Sequence, residues 1–80
     1  RIRSYGISVD DYNRMLEEQD GGCYICGKSY TNRALDIDHD HTTGKVRGLL
    51  CSPHNRVLGL LNDDPELLLL AHAYLIKQHD

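Results

Sequence analysis

Three cysteines and one histidine stand at metal-ligand spacing: Cys23-x2-Cys26, a gap of 24 residues, then Cys51-x2-His54. Zinc takes four nitrogen or sulfur ligands in a tetrahedron, and two short-spaced pairs supply that geometry. A site closed by four protein ligands holds the fold together and leaves no position open for substrate. Two readings of His54 stand: it is the fourth ligand, or a substituted position beside the ion. A second group follows a different logic. Asp38-His39-Asp40-His41 puts four titratable side chains in a row, which does little for an apolar core. Asn55 directly follows His54. One helical step turns a side chain by about 100°, so Asn55 can face the Asp-His segment while His54 faces the metal. An imidazole can accept a proton from water at neutral pH. A carboxylate and an amide oxygen can hold a hard divalent cation with positions left for phosphate and water. Together these are the parts for phosphodiester hydrolysis.

The elements that would position these groups are legible along the chain. Ser8 reads as a helix N-cap, with Asp10 and Asp11 in the first turn where the helix dipole favours acids. Val9, Tyr12, Leu16 and Gln19 recur at helical spacing, widened by Met15, and predict a helix over about 8–20. Asp20-Gly21-Gly22 ends it. Cys23–Gly27 reads as a tight metal knuckle, and 28–34 as loop. Leu35, Ile37, His39 and His41 alternate with Asp36, Asp38 and Asp40, which predicts a strand. Thr42-Thr43-Gly44-Lys45 is turn chemistry, and Val46–Leu50 returns as the second strand of a hairpin. A four-residue turn there sets Asp40 opposite Arg47, and a cross-hairpin ion pair is expected. Ser52 as N-cap and Pro53 at the first helical position open a second helix to about Leu61. Asn62-Asp63 breaks it. Asp64 and Pro65 start a third helix over about 65–78. Tyr12, Leu16 and the leucines of the third helix are expected in the core, and His72 and His79 as ordinary helix residues. In a regular strand Asp38 and His39 point to opposite faces. Both can serve one phosphate only across a bend or bulge, so an irregularity is expected between them.

The predicted class is therefore a small zinc-stabilised α+β fold: an N-terminal helix, a zinc knuckle, a β-hairpin and helix, and a C-terminal helix. It reads as one domain over 1–80, with its core about 23–62 and flanking helices. Eighty residues bury only a modest core and often need a staple. With no Trp and no Phe, that core must come from Leu, Ile, Val and Tyr. A secreted disulfide scaffold would show an even number of cysteines. No signal-peptide pattern opens the sequence, and no apolar run approaches the roughly 18 residues of a membrane span. Reduced, metal-bound thiols in a cytoplasmic setting are the expectation. The chain opens at Arg1, without an initiator Met, and reads as a fragment or a processed chain.

The net charge of −3 does not advertise a nucleic-acid binder. Its distribution is more informative. Between Cys23 and Asn62 stand five basic residues (Lys28, Arg33, Lys45, Arg47, Arg56) against three acids (Asp36, Asp38, Asp40). A basic centre between acidic flanks can attract phosphate locally. Lys45, Arg47 and Arg56 read equally as phosphate contacts or as solvated charge.

A family resemblance rests on these same residues. Tyr5-Gly6-Ile7-Ser8, Gly22-Cys23-Tyr24-Ile25-Cys26-Gly27, Leu35–His41, Gly44–Cys51 and His54-Asn55 resemble the phage recombination endonuclease VII family. That family belongs to the HNH, or His-Me finger, nucleases with a ββα-metal core. The resemblance covers most of the chain. It implies that Asp38 and Asn55 hold a catalytic Mg²⁺ or Mn²⁺, that His39 is the general base, and that His41 assists at the phosphate. It implies that Cys23, Cys26 and Cys51 bind structural Zn²⁺, with His54 where the family usually has a fourth Cys. Leu58 departs from an acidic residue near the metal. The implied substrate is DNA, in a bacterial or phage-infected cell, with no membrane partner. A monomer or weak dimer is expected, as part of a longer protein or alone. The competing function is a catalytically silent zinc module that binds nucleic acid or protein. Asp38, His39 and Asn55 decide between the two, because a binding module needs none of them.

Overall fold

The computed structural model describes residues 6–29 and 33–77. Tyr5, Gln78 and His79 lie outside them. The elements run α1 (Val9–Glu18), β1 (Asp36–His39), β2 (Val46–Leu50), α2 (Ser52–Leu60) and α3 (Pro65–Lys77).

Helix α1 is closed at both ends. Ser8 Oγ accepts from the Asp11 N–H at 3.0 Å, and Asp11 Oδ2 accepts from the Ser8 N–H at 3.1 Å, a capping box. At the far end Asp20 is left-handed (φ 55°). The Asp20 N–H reaches Glu17 O, and the Gly21 N–H reaches Leu16 O. This Schellman closure turns the chain sharply into the knuckle. Gln19 then ties α1 to the hairpin. Its Nε2 donates to Leu49 O at 2.9 Å, and its Oε1 accepts from the Leu49 N–H at 3.0 Å.

Strands β1 and β2 pair antiparallel, with Asp36 opposite Leu50, Ile37 opposite Leu49, and Asp38 opposite Gly48. The register then slips, and His39 faces Val46, which leaves Arg47 as the extra residue of a bulge. The irregularity expected between Asp38 and His39 is thus present. The turn is longer than the four residues expected. Asp40 Oδ1 accepts from the N–H groups of Thr42 and Thr43 at 2.7 and 3.0 Å. This Asx-type arrangement takes Asp40 out of the strand. The expected Asp40–Arg47 pair therefore does not form, and Arg47 binds Asp38 instead.

Helix α2 starts one residue earlier than expected, with Cys51 rather than Ser52 as the N-cap. It ends in a second Schellman closure. The Asn62 N–H reaches Gly59 O, the Asp63 N–H reaches Leu58 O, and Asn62 and Asp63 are both left-handed (φ 57° and 56°). Asp64 Oδ1 accepts from the Glu66 N–H at 2.9 Å and opens α3, as expected.

The core is small: Tyr12, Cys23, Leu35, Leu49, Leu50 and Cys51 are buried, with Ile7, Met15, Leu16, Cys26, Ile37 and Leu58 packed around them. Leu58 is part of this packing, which accounts for an apolar residue there. Tyr12 is anchored by its hydroxyl, which donates to Leu35 O at 3.1 Å. The leucines of α3 are a correction to the sequence reading. No residue of α3 is buried, and Leu69 and Leu70 are 62% and 64% exposed. A run of four leucines covers every side of a helix, and no other described element lies against α3 closely enough to cover one. No helix among the described residues is long and apolar enough to cross a membrane.

Candidate functional site

Two constellations meet at the junction of hairpin and α2. The first is the metal cluster. Cys23 and Cys26 sit on the knuckle, where the Gly27 N–H returns to Cys23 O at 2.8 Å and the Cys23 N–H reaches Lys28 O at 2.9 Å. Cys51 and His54 sit on the first turn of α2. The ligand atoms of all four lie within 4.8 Å of one another. A zinc tetrahedron with Zn–S bonds of about 2.3 Å has sulfur–sulfur edges of about 3.8 Å. Cys26 Sγ and Cys51 Sγ are 3.8 Å apart. His54 presents Nδ1 at 3.1 Å from Cys51 Sγ, which places it inside the cluster. Cys23, Cys26, Cys51 and His54 are close enough to bind one zinc ion.

The electrostatics of the cluster favour a cation. Burial pushes the Cys23 thiol up. The N–H groups of Cys26, Cys51 and Ile25, with the Cys51 side chain, overcome that and lower it to about 6. Cys26 responds in the opposite sense. The Lys28 N–H lowers it, but burial and the neighbouring Cys23 and Cys51 sulfurs outweigh this and hold it above the usual thiol range. Three sulfurs this close ionise together only with positive charge among them.

The second constellation lies on the hairpin. Asp38 is buried, and both of its oxygens accept from one guanidinium, Arg47 Nε at 2.8 Å and Arg47 Nη2 at 3.1 Å. This bidentate fork is the strongest pairing those groups make. It raises the Arg47 pKa further, with a smaller contribution from Asp63. Arg47 Nη2 also lies 3.4 Å from Asp63 Oδ2, and His41 Nε2 lies 3.7 Å from the same oxygen. The rings of His39 and His41 stand 4.9 Å apart. Asn55, half-buried on α2, faces the hairpin as its position after His54 implies. Its Nδ2 donates to Asp36 Oδ2 at 3.4 Å, one alternate residue along the strand from Asp38. Arg33 pairs with the other oxygen of Asp36 at 3.3 Å.

The structure therefore brings Asp38, Arg47, Asp63 and His41 together at the hairpin's end, with His39 against His41, while Asn55 meets Asp36 and not the expected Asp38. Lys45 and Arg56 are exposed and form no ion pair with a described residue. Two residues escaped the sequence reading. Asp36 shares a strand face with Asp38 by the period of two, a signal that was available. Asp63 carried no signal, because an Asn-Asp pair after a helix reads only as a breaker. Asp40, His41, Thr42, Arg47, Gly59, Asn62 and Asp63 line a cleft of about 450 Å³ beside this group.

A knuckle able to hold zinc is joined here to a hairpin and a helix, with histidines and carboxylates gathered at the hairpin's end. The comparison with protein families makes this specific. Residues 1–77 match the recombination endonuclease VII model, and the chain belongs to that family. It is 45% identical over 78 residues to the Gene 59 protein of Mycobacterium phage D29, covering 95% of this chain and 47% of that protein. It is 43% identical to the Gene 59 protein of Mycobacterium phage L5, covering 95% and 48%. The chain thus spans about half the length of the curated relatives it matches. No solved structure matches it significantly.

Proposed function

We propose that this chain is a metal-dependent DNA endonuclease of the HNH, or His-Me finger, type, acting as one nuclease domain over 1–80 in the cytoplasm of an infected cell. The observation that carries the reading is the bulge at Arg47. It interrupts the ladder between Asp38 and His39 at the point where β1 ends, and it sets Arg47 against Asp38 at the same end of the hairpin as the two histidines. In this reading His39 takes a proton from the attacking water at a ring nitrogen, and His41 orients the phosphate. Asp38 and the Asn55 amide oxygen offer the hard oxygen donors suited to Mg²⁺ or Mn²⁺. Such an ion, when bound, neutralises charge on the phosphate and leaving oxygen. Lys45, Arg47 and Arg56 supply phosphate contacts whose strength falls with salt. Cys23, Cys26, Cys51 and His54 hold the hairpin against the start of α2, and so fix the distance from Asn55 to the strand.

One observation favours the silent zinc module: Arg47 occupies both Asp38 oxygens. Plasmid nicking with Mg²⁺ or Mn²⁺ separates the two readings. The wild type should nick, leaving 5′-phosphate and 3′-hydroxyl ends, and His39→Ala should lose about 100-fold or more in rate. An inert wild type across both metals leaves only the binding module. A His39→Ala variant that cuts equally well removes His39 as the base.

A further inference from the structure

The pairing that argues against catalysis can be turned into a device. Asp38 is buried, and both of its oxygens accept from one guanidinium, so its charge is already matched before any cation arrives. The same guanidinium already lies against a second carboxylate. Asp63 Oδ2 sits 3.4 Å from Arg47 Nη2, and the Asp63 side chain is 20% exposed against 10% for Asp38. Asp63 is held there by the left-handed turn that closes α2, with its N–H on Leu58 O at 2.8 Å. The backbone of Asp63 is thus fixed by the helix closure, and its carboxylate also lies 3.7 Å from His41 Nε2. Arg47 itself is the extra residue of the bulge. Its side chain can rotate between the two carboxylates without breaking a ladder pair.

We infer that Arg47 is an exchangeable counterion: it guards Asp38 in the metal-free protein and transfers to Asp63 when a divalent cation takes Asp38. Asp63 is the positioning residue that accepts it. This inference rests on the endonuclease reading for its cation site. Two like charges cannot share the Asp38 carboxylate at close range without a large repulsive cost. Burying Asp38 with no counterion would be costly as well. Arg47 meets the second requirement, and Asp63 resolves the first by giving the displaced guanidinium an anion within one rotamer step. The transferred Arg47 stays at the mouth of the cleft beside His41, where an incoming phosphate would meet it.

The test is Mn²⁺ binding to the zinc-loaded chain without DNA, followed by electron paramagnetic resonance of free Mn²⁺. Arg47→Ala should bind Mn²⁺ about tenfold tighter, because the competing fork is gone. Arg47→Lys keeps the charge but not the fork, and should also tighten binding, by a smaller factor. Asp63→Asn should weaken it about threefold. In the Arg47→Ala background, the Asp63→Asn effect should shrink to within about twofold, since Asp63 acts through Arg47. Fully additive effects, with Arg47→Lys equal to wild type, would mean bulk charge alone and would overturn the exchange. Asp38→Asn separates the two levels of the argument. If it leaves Mn²⁺ affinity unchanged, or if no Mn²⁺ binds to the wild type, the cation site and the exchange both fall. If binding depends on Asp38 yet Arg47→Ala does not tighten it, the exchange alone falls and the endonuclease reading stands.

Discussion

Gly22→Ala tests whether the knuckle has any slack. Gly22 is buried against the segment of the knuckle that returns after Cys26. A Cβ built on it overlaps the Gly27 carbonyl, with the carbonyl carbon at 2.7 Å and Gly27 Cα at 3.3 Å. Non-bonded carbons settle about 3.5–4.0 Å apart, so Gly27 must retreat by about 1 Å to admit the methyl. Gly27 is bonded directly to Cys26 in the chain, and its N–H closes the knuckle on Cys23 O. Metal–ligand distances tolerate only about ±0.2 Å. The strain of forcing a methyl against backbone is about 3 kcal/mol, which corresponds to about a hundredfold loss of zinc affinity. Gly21→Ala is the control. Gly21 has φ +79° but nothing within 4 Å of its Cβ position. It carries only the left-handed penalty, about 1–2 kcal/mol. Competition against a chromogenic zinc chelator measures both variants. If Gly22→Ala holds zinc as tightly as Gly21→Ala, the knuckle is not the rigid half of the site and the reasoning fails.

Other outcomes follow from single contacts. Gln19→Ala should lower stability by about 1–2 kcal/mol in urea unfolding, because the Leu49 N–H loses its partner in a buried setting; an unchanged midpoint would mean that water replaces the amide. Chelation of zinc should remove most helical and strand signal in circular dichroism, since binding supplies on the order of 10 kcal/mol to a fold with so small a core. A chelated chain that keeps its spectrum would show the core to be sufficient alone. Asp11 accepts from Ser8 N–H and pairs with Arg14, and both hold its carboxyl below 3.8. A carboxyl lowered in the folded state stabilises above its unfolded value and loses that contribution as pH falls through the folded value. The stability gap between wild type and Asp11→Ala should therefore be full at neutral pH and shrink as pH falls through the lowered folded-state value; a gap unchanged across the acid range would assign Asp11 some role other than its charge.

The element order was readable because each element is signalled locally. Ser8 with Asp11, Asp20-Gly21-Gly22, and Asp64-Pro65 mark helix ends within a few residues, and cysteine spacing marks the metal cluster. What escaped was set by competition between local options. Asp40 could extend the strand or cap a turn. Two backbone N–H groups outbid one cross-strand arginine, and the choice moved the register so that Arg47 met Asp38. Nothing in the residue types reveals that preference. The sign of the α3 leucines was equally hidden. An apolar run states that a surface wants cover, but whether this chain supplies it depends on where the helix is aimed. Asp63 became visible only with the backbone, because its place comes from two successive left-handed residues.

The hairpin lies entirely inside the loop that the ion closes, between Cys26 and Cys51. This has a kinetic consequence. Each ligand pair is local, Cys23 with Cys26 and Cys51 with His54, so either half can capture an ion before the strands meet. Joining the halves across 24 residues then carries a loop-closure entropy of about 3 kcal/mol. Strand pairing within that loop no longer has to meet the same cost. The refolding rate should accordingly rise with zinc concentration until capture outpaces strand pairing. A chain that meets zinc late has to pair β1 with β2 unaided, and a lone two-stranded hairpin is marginal in water.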